Sequence, residues 1–366
     1  MRAAPRAWLL LPAGLSLLAG LDAGLLLLEA SAPVDASHLP EVHGPLMVLG
    51  FLGTLIALER AVALRAALGY AAPALLGLGG LALAGGAPRL VGQVLLLDGT
   101  VALVAVLAAL WRRRRDDAVV VEALGAVLAA LAALLWVRVD ASVVVPLLAG
   151  FVVLTIAAER VDLARVHLPA SAEGVLVGIA ALVAVTAAGA VLFPDAGARA
   201  FGLALLVLVG WLGPRDVARR TVRSAGLPRF SAAAMLAGYA WLGVAGTAWL
   251  VAGVTTTPAS HDVVVHTIFL GFVMSMVLAH APVILPAVLR RAVPYRPLLW
   301  VPLVTLHAGL LVRVVGDVAG RAGPVEVGGY GTVAALLLLP LTAVASAAMP
   351  APSAPRPATT RPLVRS

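Results

Sequence analysis

Long apolar runs broken by short polar loops dominate the chain. Twelve of them are long enough to be helices, at about 7–28, 42–64, 70–87, 90–111, 118–137, 142–160, 173–193, 198–213, 230–253, 261–289, 297–316 and 325–348. A membrane-crossing helix needs about 20 apolar residues, so the pattern predicts an all-α polytopic membrane protein with twelve transmembrane helices. The third and eighth runs are short and rich in Gly or Ala.

One string recurs inside these runs. It reads Gly50-Phe51-Leu52-Gly53-Thr54 through Glu59-Arg60, then Gly150-Phe151-Val152-Val153-Leu154-Thr155 through Glu159-Arg160, then Gly271-Phe272-Val273-Met274-Ser275 through His280. The copies fall on spans two, six and ten. The twelve helices therefore divide into three pseudo-repeated four-helix blocks, about 1–115, 116–222 and 223–349, within a single transmembrane domain 1–349. Copies of like orientation imply a pseudo-symmetry axis along the membrane normal, and their small residues permit close helix approach. His280 stands where the other copies carry glutamate.

Composition supports the membrane reading. The chain is 62% apolar and 12% charged, with a mean hydropathy of +1.04, far from soluble usage. Cysteine is absent, which excludes disulfides, thiolate metal sites and cysteine nucleophiles. Lysine is absent too, so all 26 basic residues are arginine. The net charge of +8 does not imply nucleic acid, because the arginines sit in short loops and not along one groove. With the N-terminus inside, 21 arginines fall on the cytoplasmic side and five outside (Arg89, Arg138, Arg199, Arg313, Arg321). This predicts both termini cytoplasmic in a bacterial-type inner membrane. The first span resembles a signal peptide, with Ala30-Ser31-Ala32 at a plausible cleavage site, but its apolar stretch is too long and it completes the first block. The Pro- and Arg-rich tail 350–366 is expected to be a disordered cytoplasmic segment. Glu59-Arg60 and Glu159-Arg160 read as snorkelling arginines and interfacial ion pairs.

Histidine placement carries the candidate chemistry. His167 is in a loop and His38 near an outer helix end. His43 opens span two, His261, His266 and His280 lie on span ten, and His307 is in span eleven, while spans five to eight hold none. Ionisable groups inside a membrane are costly and point to function, and imidazole is a common ligand for haem, copper and zinc. The repeat offset places His266 opposite Pro45 and His261 opposite Pro40, so His43 and His266 occupy similar depths on matched helices. His266 and His280 are separated by about 20 Å of helix, so one ion cannot bridge them. The candidate metal ligands are His43, His266, His280 and His307. Met47, one turn after His43, and His261 are further cofactor contacts. Asp98, on span four, reads as a carboxylate that holds a ligating imidazole in its tautomer or as a packing hydrogen bond. Asp22 is a further intramembrane carboxylate, and Arg313 with Asp317 reads as an ion pair. The competing reading of the histidines is hydrogen bonding within the bundle, and that of the methionines is core filling.

Twelve helices in three parallel blocks, with histidines on the second and tenth, resemble subunit I of the haem–copper oxidases. The strings His43-Gly44-Pro45-Leu46-Met47-Val48-Leu49-Gly50-Phe51 and His266-Thr267-Ile268-Phe269-Leu270-Gly271-Phe272 look like the related NnrS family of haem- and copper-containing membrane proteins linked to nitric oxide response. The resemblance implies haem held by His43 with His266 or His261, and possible copper. Spans six and seven lack the oxidases' copper-ligating histidines, so oxygen reduction is not expected. The leading expectation is a haem- and possibly copper-binding membrane protein that works in electron transfer or nitric oxide stress and has a redox partner. The alternative is a proton-coupled transporter using the intramembrane His and Asp residues.

Overall fold

The computed structural model describes residues 8–169, 171–289 and 294–349. The predicted tail and the arginines at 2, 6, 290, 291, 356, 361 and 365 lie outside them. The described residues contain helices and no strand. Twelve helices are long and apolar enough to cross a membrane: α1 (Leu10–Leu27), α2 (Leu39–Leu64), α3 (Ala67–Ala84), α4 (Arg89–Arg114), α5 (Asp117–Trp136), α6 (Ala141–Ala164), α7 (Ala172–Leu192), α8 (Pro194–Arg215), α9 (Gly226–Ala252), α10 (Pro258–Pro282), α11 (Pro297–Ala319) and α12 (Ala322–Ala348). In lipid a spanning segment must satisfy its backbone internally, which a helix does. The second span was expected from about residue 42; α2 begins at Leu39, so His43 lies one turn inside the helix.

The helix ends are marked by local chemistry. Asp116 caps α5 by accepting from the Ala118 amide at 3.0 Å. Thr257 and Ser260 form a reciprocal capping box ahead of α10, which fixes the start of the histidine-bearing helix. Gly320 adopts φ +64 after α11, a left-handed turn that suits glycine.

Successive helices pack as antiparallel neighbours. The last helix of each sequence block meets the first of the next: α4 with α5, α8 with α9, and α12 with α1. The motif helices lie innermost. Their apolar windows are 61%, 83% and 67% buried for α2, α6 and α10, against 33–56% for the other nine.

Each motif glycine sits between the helices before and after its own. A Cβ on Gly50 would meet Ser16 of α1 and Gly80 of α3; on Gly150, Leu128 of α5 and Ala187 of α7; on Gly271, Trp241 of α9 and Leu310 of α11. The motif is thus a contact device, as its small residues suggest. A hydroxyl follows it each time and donates back to a carbonyl of the preceding turn: Thr54 to Gly50, Thr155 to Phe151, Ser275 to Gly271.

The three copies differ in winding. α2 carries a π-helical stretch at Leu46–Gly53 and α10 carries one at Thr267–Met274. Both ends of the second lie 221 residues after those of the first, the offset of the two glycines. α6 is regular α-helix over Val145–Ala164. π-stretches are rare and concentrate at functional sites. Here they mark the two helices whose starts carry histidine.

Candidate functional site

A cavity of about 530 Å³ lies among α1, α2, α6, α10, α11 and α12. Its wall is mostly apolar, with Leu21, Phe51, Leu148, Phe269 and Leu336. His43, His261, Asp262, His266, Arg313 and Asp317 break that wall. The size and a few convergent polar groups in an apolar lining are usual for a small-molecule or cofactor pocket. Met47 and Met274 line it as well.

His43 is fixed from one side. Its Nδ1 lies 2.9 Å from the Gly20 carbonyl oxygen. A carbonyl can only accept, so Nδ1–H donates and Nε2 keeps its lone pair. α1 is thin at this point. A Cβ on Gly20 would collide with the Met47 Sδ, and one on Gly24 would meet His43 Cε1 at 3.4 Å. The one-turn spacing of His43 and Met47 therefore does place both on one face, against two glycines a turn apart.

His266 is held by a carboxylate. Its Nδ1 lies 2.9 Å from Asp262 Oδ1 and 3.1 Å from the Asp262 carbonyl. Both are acceptors, so Nδ1–H donates here too and Nε2 is the free nitrogen. A carboxylate behind an imidazole fixes its tautomer and raises its basicity as a ligand. Asp262 is fixed in turn by Arg313, whose Nε and Nη2 donate to Oδ2 and Oδ1 at 2.6 Å each. The fork geometry is the bidentate arrangement Arg favours.

This corrects the expected Arg313–Asp317 pair. Arg313 turns to α10, because Asp262 offers both oxygens to the guanidinium fork. Asp317 lies beside Asp262, and its Oδ2 is buried with no hydrogen-bond partner. Asp262 was not singled out from the sequence. A signal existed: it sits one turn before His266, on the same helix face.

The other candidates are placed differently. His261 lines the cavity, with its Nδ1 3.4 Å from the Thr255 hydroxyl. His307 is outside it. Trp241 Nε1–H donates to its Nδ1 at 2.9 Å, so Nε2 carries the proton, and that N–H is buried without a partner. Neither nitrogen is free to bind a metal. His280 donates from Nδ1 to the Met276 carbonyl at 2.8 Å, and Arg160 Nη1 approaches its Nε2 at 3.5 Å. A guanidinium there disfavours a cation. Asp98 is exposed on the flank of α4, absent from the cavity wall and without an ion pair among the described residues. The helical register turns it away from the imidazoles it was expected to support.

Charged networks occupy the arginine-rich end of the bundle. Arg60 of α2 pairs with Glu122 of α5 and Glu159 of α6 as well as with Glu59. Arg160 of α6 makes a bidentate pair with Asp216, at 2.9 Å through both Nε and Nη2, and the Tyr239 hydroxyl donates to Asp216 at 2.6 Å. The ion-pair expectation for the two Glu-Arg copies is met by cross-helix partners. Snorkelling is not, since the Arg160 side chain is only 7% exposed. Burial pushes Asp216 up, but the hydrogen bonds and charge of Arg160, with Tyr239, outweigh it and hold this carboxyl below its ordinary value.

A larger and more open cavity of about 1110 Å³ lies at the same end, lined by Leu9, Val62, Arg65, Tyr70 and Arg114 among others. Among the described residues its lining holds no histidine or carboxylate, so the smaller cavity is the better candidate site. No three His, Asp or Glu side chains converge as a metal cluster among the described residues.

Comparison with curated proteins and with solved structures returned no match. A family model described as "Domain of unknown function (DUF8744)" matches residues 6–348, nearly the whole chain, and the chain belongs to that family.

Proposed function

We propose that this integral membrane protein binds haem in the cavity between α2 and α10, where His43 and His266 would hold its iron. One observation carries the reading. Both imidazoles line one cavity, and both have Nδ1 tied to an acceptor while Nε2 is free. That is the ligand state imidazole needs. The apolar wall suits a large planar ring, and Met47 and His261 lie in reach of the same space.

Copper fits the described residues less well. A protein-built copper site takes several nitrogen or sulfur donors, and no three-donor His, Asp or Glu group is assembled. His307 has no free nitrogen, and His280 faces Arg160.

When bound, haem would supply one-electron chemistry or a site for a diatomic ligand such as nitric oxide. The chain's own contribution is positional. Gly20 and Asp262 orient the two rings, Arg313 fixes Asp262, and Phe51, Phe269 and Leu336 exclude water. Electron transfer or a nitric oxide response, with a redox partner, is the role this arrangement suits.

A second reading has one supporting observation. Asp317 presents a buried, unpartnered oxygen beside Asp262 at the cavity wall, as a proton-coupled transporter would require. The path would use Asp262 and Asp317, not Asp98. Purification in detergent with haemochrome assay and metal analysis separates the two. The first reading expects about one haem per chain after reconstitution; folded protein that takes up no haem but drives proton-coupled uptake in vesicles favours the second.

A further inference from the structure

Three carboxylates share one guanidinium at the arginine-rich end. Arg60 Nη1 lies 3.1 Å from Glu122 Oε1 and Nη2 lies 3.1 Å from Glu59 Oε1, while Nη2 also pairs with Glu159 Oε1. The groups come from α2, α5 and α6. Fully ionised, they would carry two uncompensated negative charges.

Among the described residues, His280 faces Glu59 from α10, and the further groups around Glu122 are acidic. Glu122 also faces Asp116 ahead of α5 and Asp162 on α6. Arg165 is taken up by Asp116, Asp162 and Glu173. Water can relieve part of the imbalance, since the Glu59 side chain is 45% exposed. It cannot do so for Glu122, whose side chain is 5% exposed and whose Oε2 has no hydrogen-bond partner. A buried carboxylate that must share one counter-charge with two other carboxylates is favoured to take up a proton.

We infer that Glu122 and Glu159 share one bound proton at neutral pH, held against Arg60, and that this cluster is a proton-binding site distinct from the histidine cavity. Exposure falls along the set, from Glu59 through Glu159 at 22% to Glu122 at 5%. Protons therefore exchange with water from the Glu59 side. The Arg160 site is the internal contrast. There one guanidinium meets one carboxylate, Asp216, so the charges balance and no proton is needed.

Infrared spectroscopy of the purified full-length protein in detergent at pH 7 tests this through the carbonyl stretch of protonated carboxyl groups. Glu122→Gln and Glu159→Gln are each expected to remove the same one-proton component of that band, and the double variant to remove no more. Asp216→Asn is expected to leave the band intact. An undiminished band in both single variants would overturn the proposal. Additive losses in the double variant would also overturn it, because they mean two independent protons. Glu159→Asp, which keeps a carboxyl in place, retains the component and guards against loss through misfolding.

Discussion

Replacing Arg313 with Met tests the frame that holds His266. The change removes a bidentate pair whose side chains are 11% and 20% exposed and leaves Asp262 beside Asp317 with only an imidazole as partner. Two hydrogen bonds to a charged group are worth roughly 1.5–3 kcal/mol each, and breaking a buried pair typically costs about 3–5 kcal/mol. The Asp262 side chain is one-fifth exposed, and it can hydrate or take a proton, so the lower end applies: about 3 kcal/mol. Removing both charges, in Arg313→Met with Asp262→Leu, leaves no orphaned carboxylate. That double variant should recover at least ~1.5 kcal/mol relative to the sum of the single changes. Equilibrium unfolding in mixed micelles, followed by far-UV circular dichroism, measures all four species. Arg313→Met within about 0.5 kcal/mol of the wild type, the range of a neutral surface change, would refute the account of this pair.

Three further outcomes follow from the same contacts. Asp262→Ala should weaken haem binding about 10–100-fold, while Asp262→Asn, which keeps an acceptor for His266 Nδ1, should lose far less; a haem titration distinguishes them. Asp216 has a folded pKa below its ordinary value of 3.8, so its contribution is complete above that value and is lost as pH falls through the folded pKa. Wild-type stability should therefore fall more steeply than that of Asp216→Asn as pH drops below about 4, read by unfolding at stepped pH. A Cβ on Gly202 would meet the Leu250 amide nitrogen at 2.5 Å and the Gly246 carbonyl at 2.6 Å. Backbone cannot yield as a side chain can, so Gly202→Ala should separate α8 from α9 and destabilise by about 1–3 kcal/mol or more in the same unfolding assay.

The helix count was legible because lipid imposes one requirement on every span, an unbroken apolar stretch. The Gly-Phe strings foretold close contacts, since only glycine admits Ser16 and Gly80 against α2 or Trp241 against α10. Local spacing was equally readable, as with His43 and Met47. Long-range polar pairing was not. Arg313 had Asp317 one turn away, yet it pairs with Asp262, 51 residues distant in sequence. Arg60 and Arg160 looked interfacial, yet they join different helices through Glu122, Glu159 and Asp216. Asp98 was misplaced because a lone carboxylate in an apolar run does not reveal which face it occupies, and the register of α4 put it outward. The π-stretches had no readable signal either, since their residues are as apolar as those of the regular α6.

In the proposed haem site His43 and His266 act together, and His280 and His307 take no part. Reduced-minus-oxidised optical spectra of the haem-reconstituted protein and its four single His→Ala variants test it most directly. A low-spin haem signal is expected that is lost or converted in His43→Ala and in His266→Ala and is retained in His280→Ala and His307→Ala. Folded wild-type protein with no Soret band, or a signal that survives in both His43→Ala and His266→Ala, would contradict it.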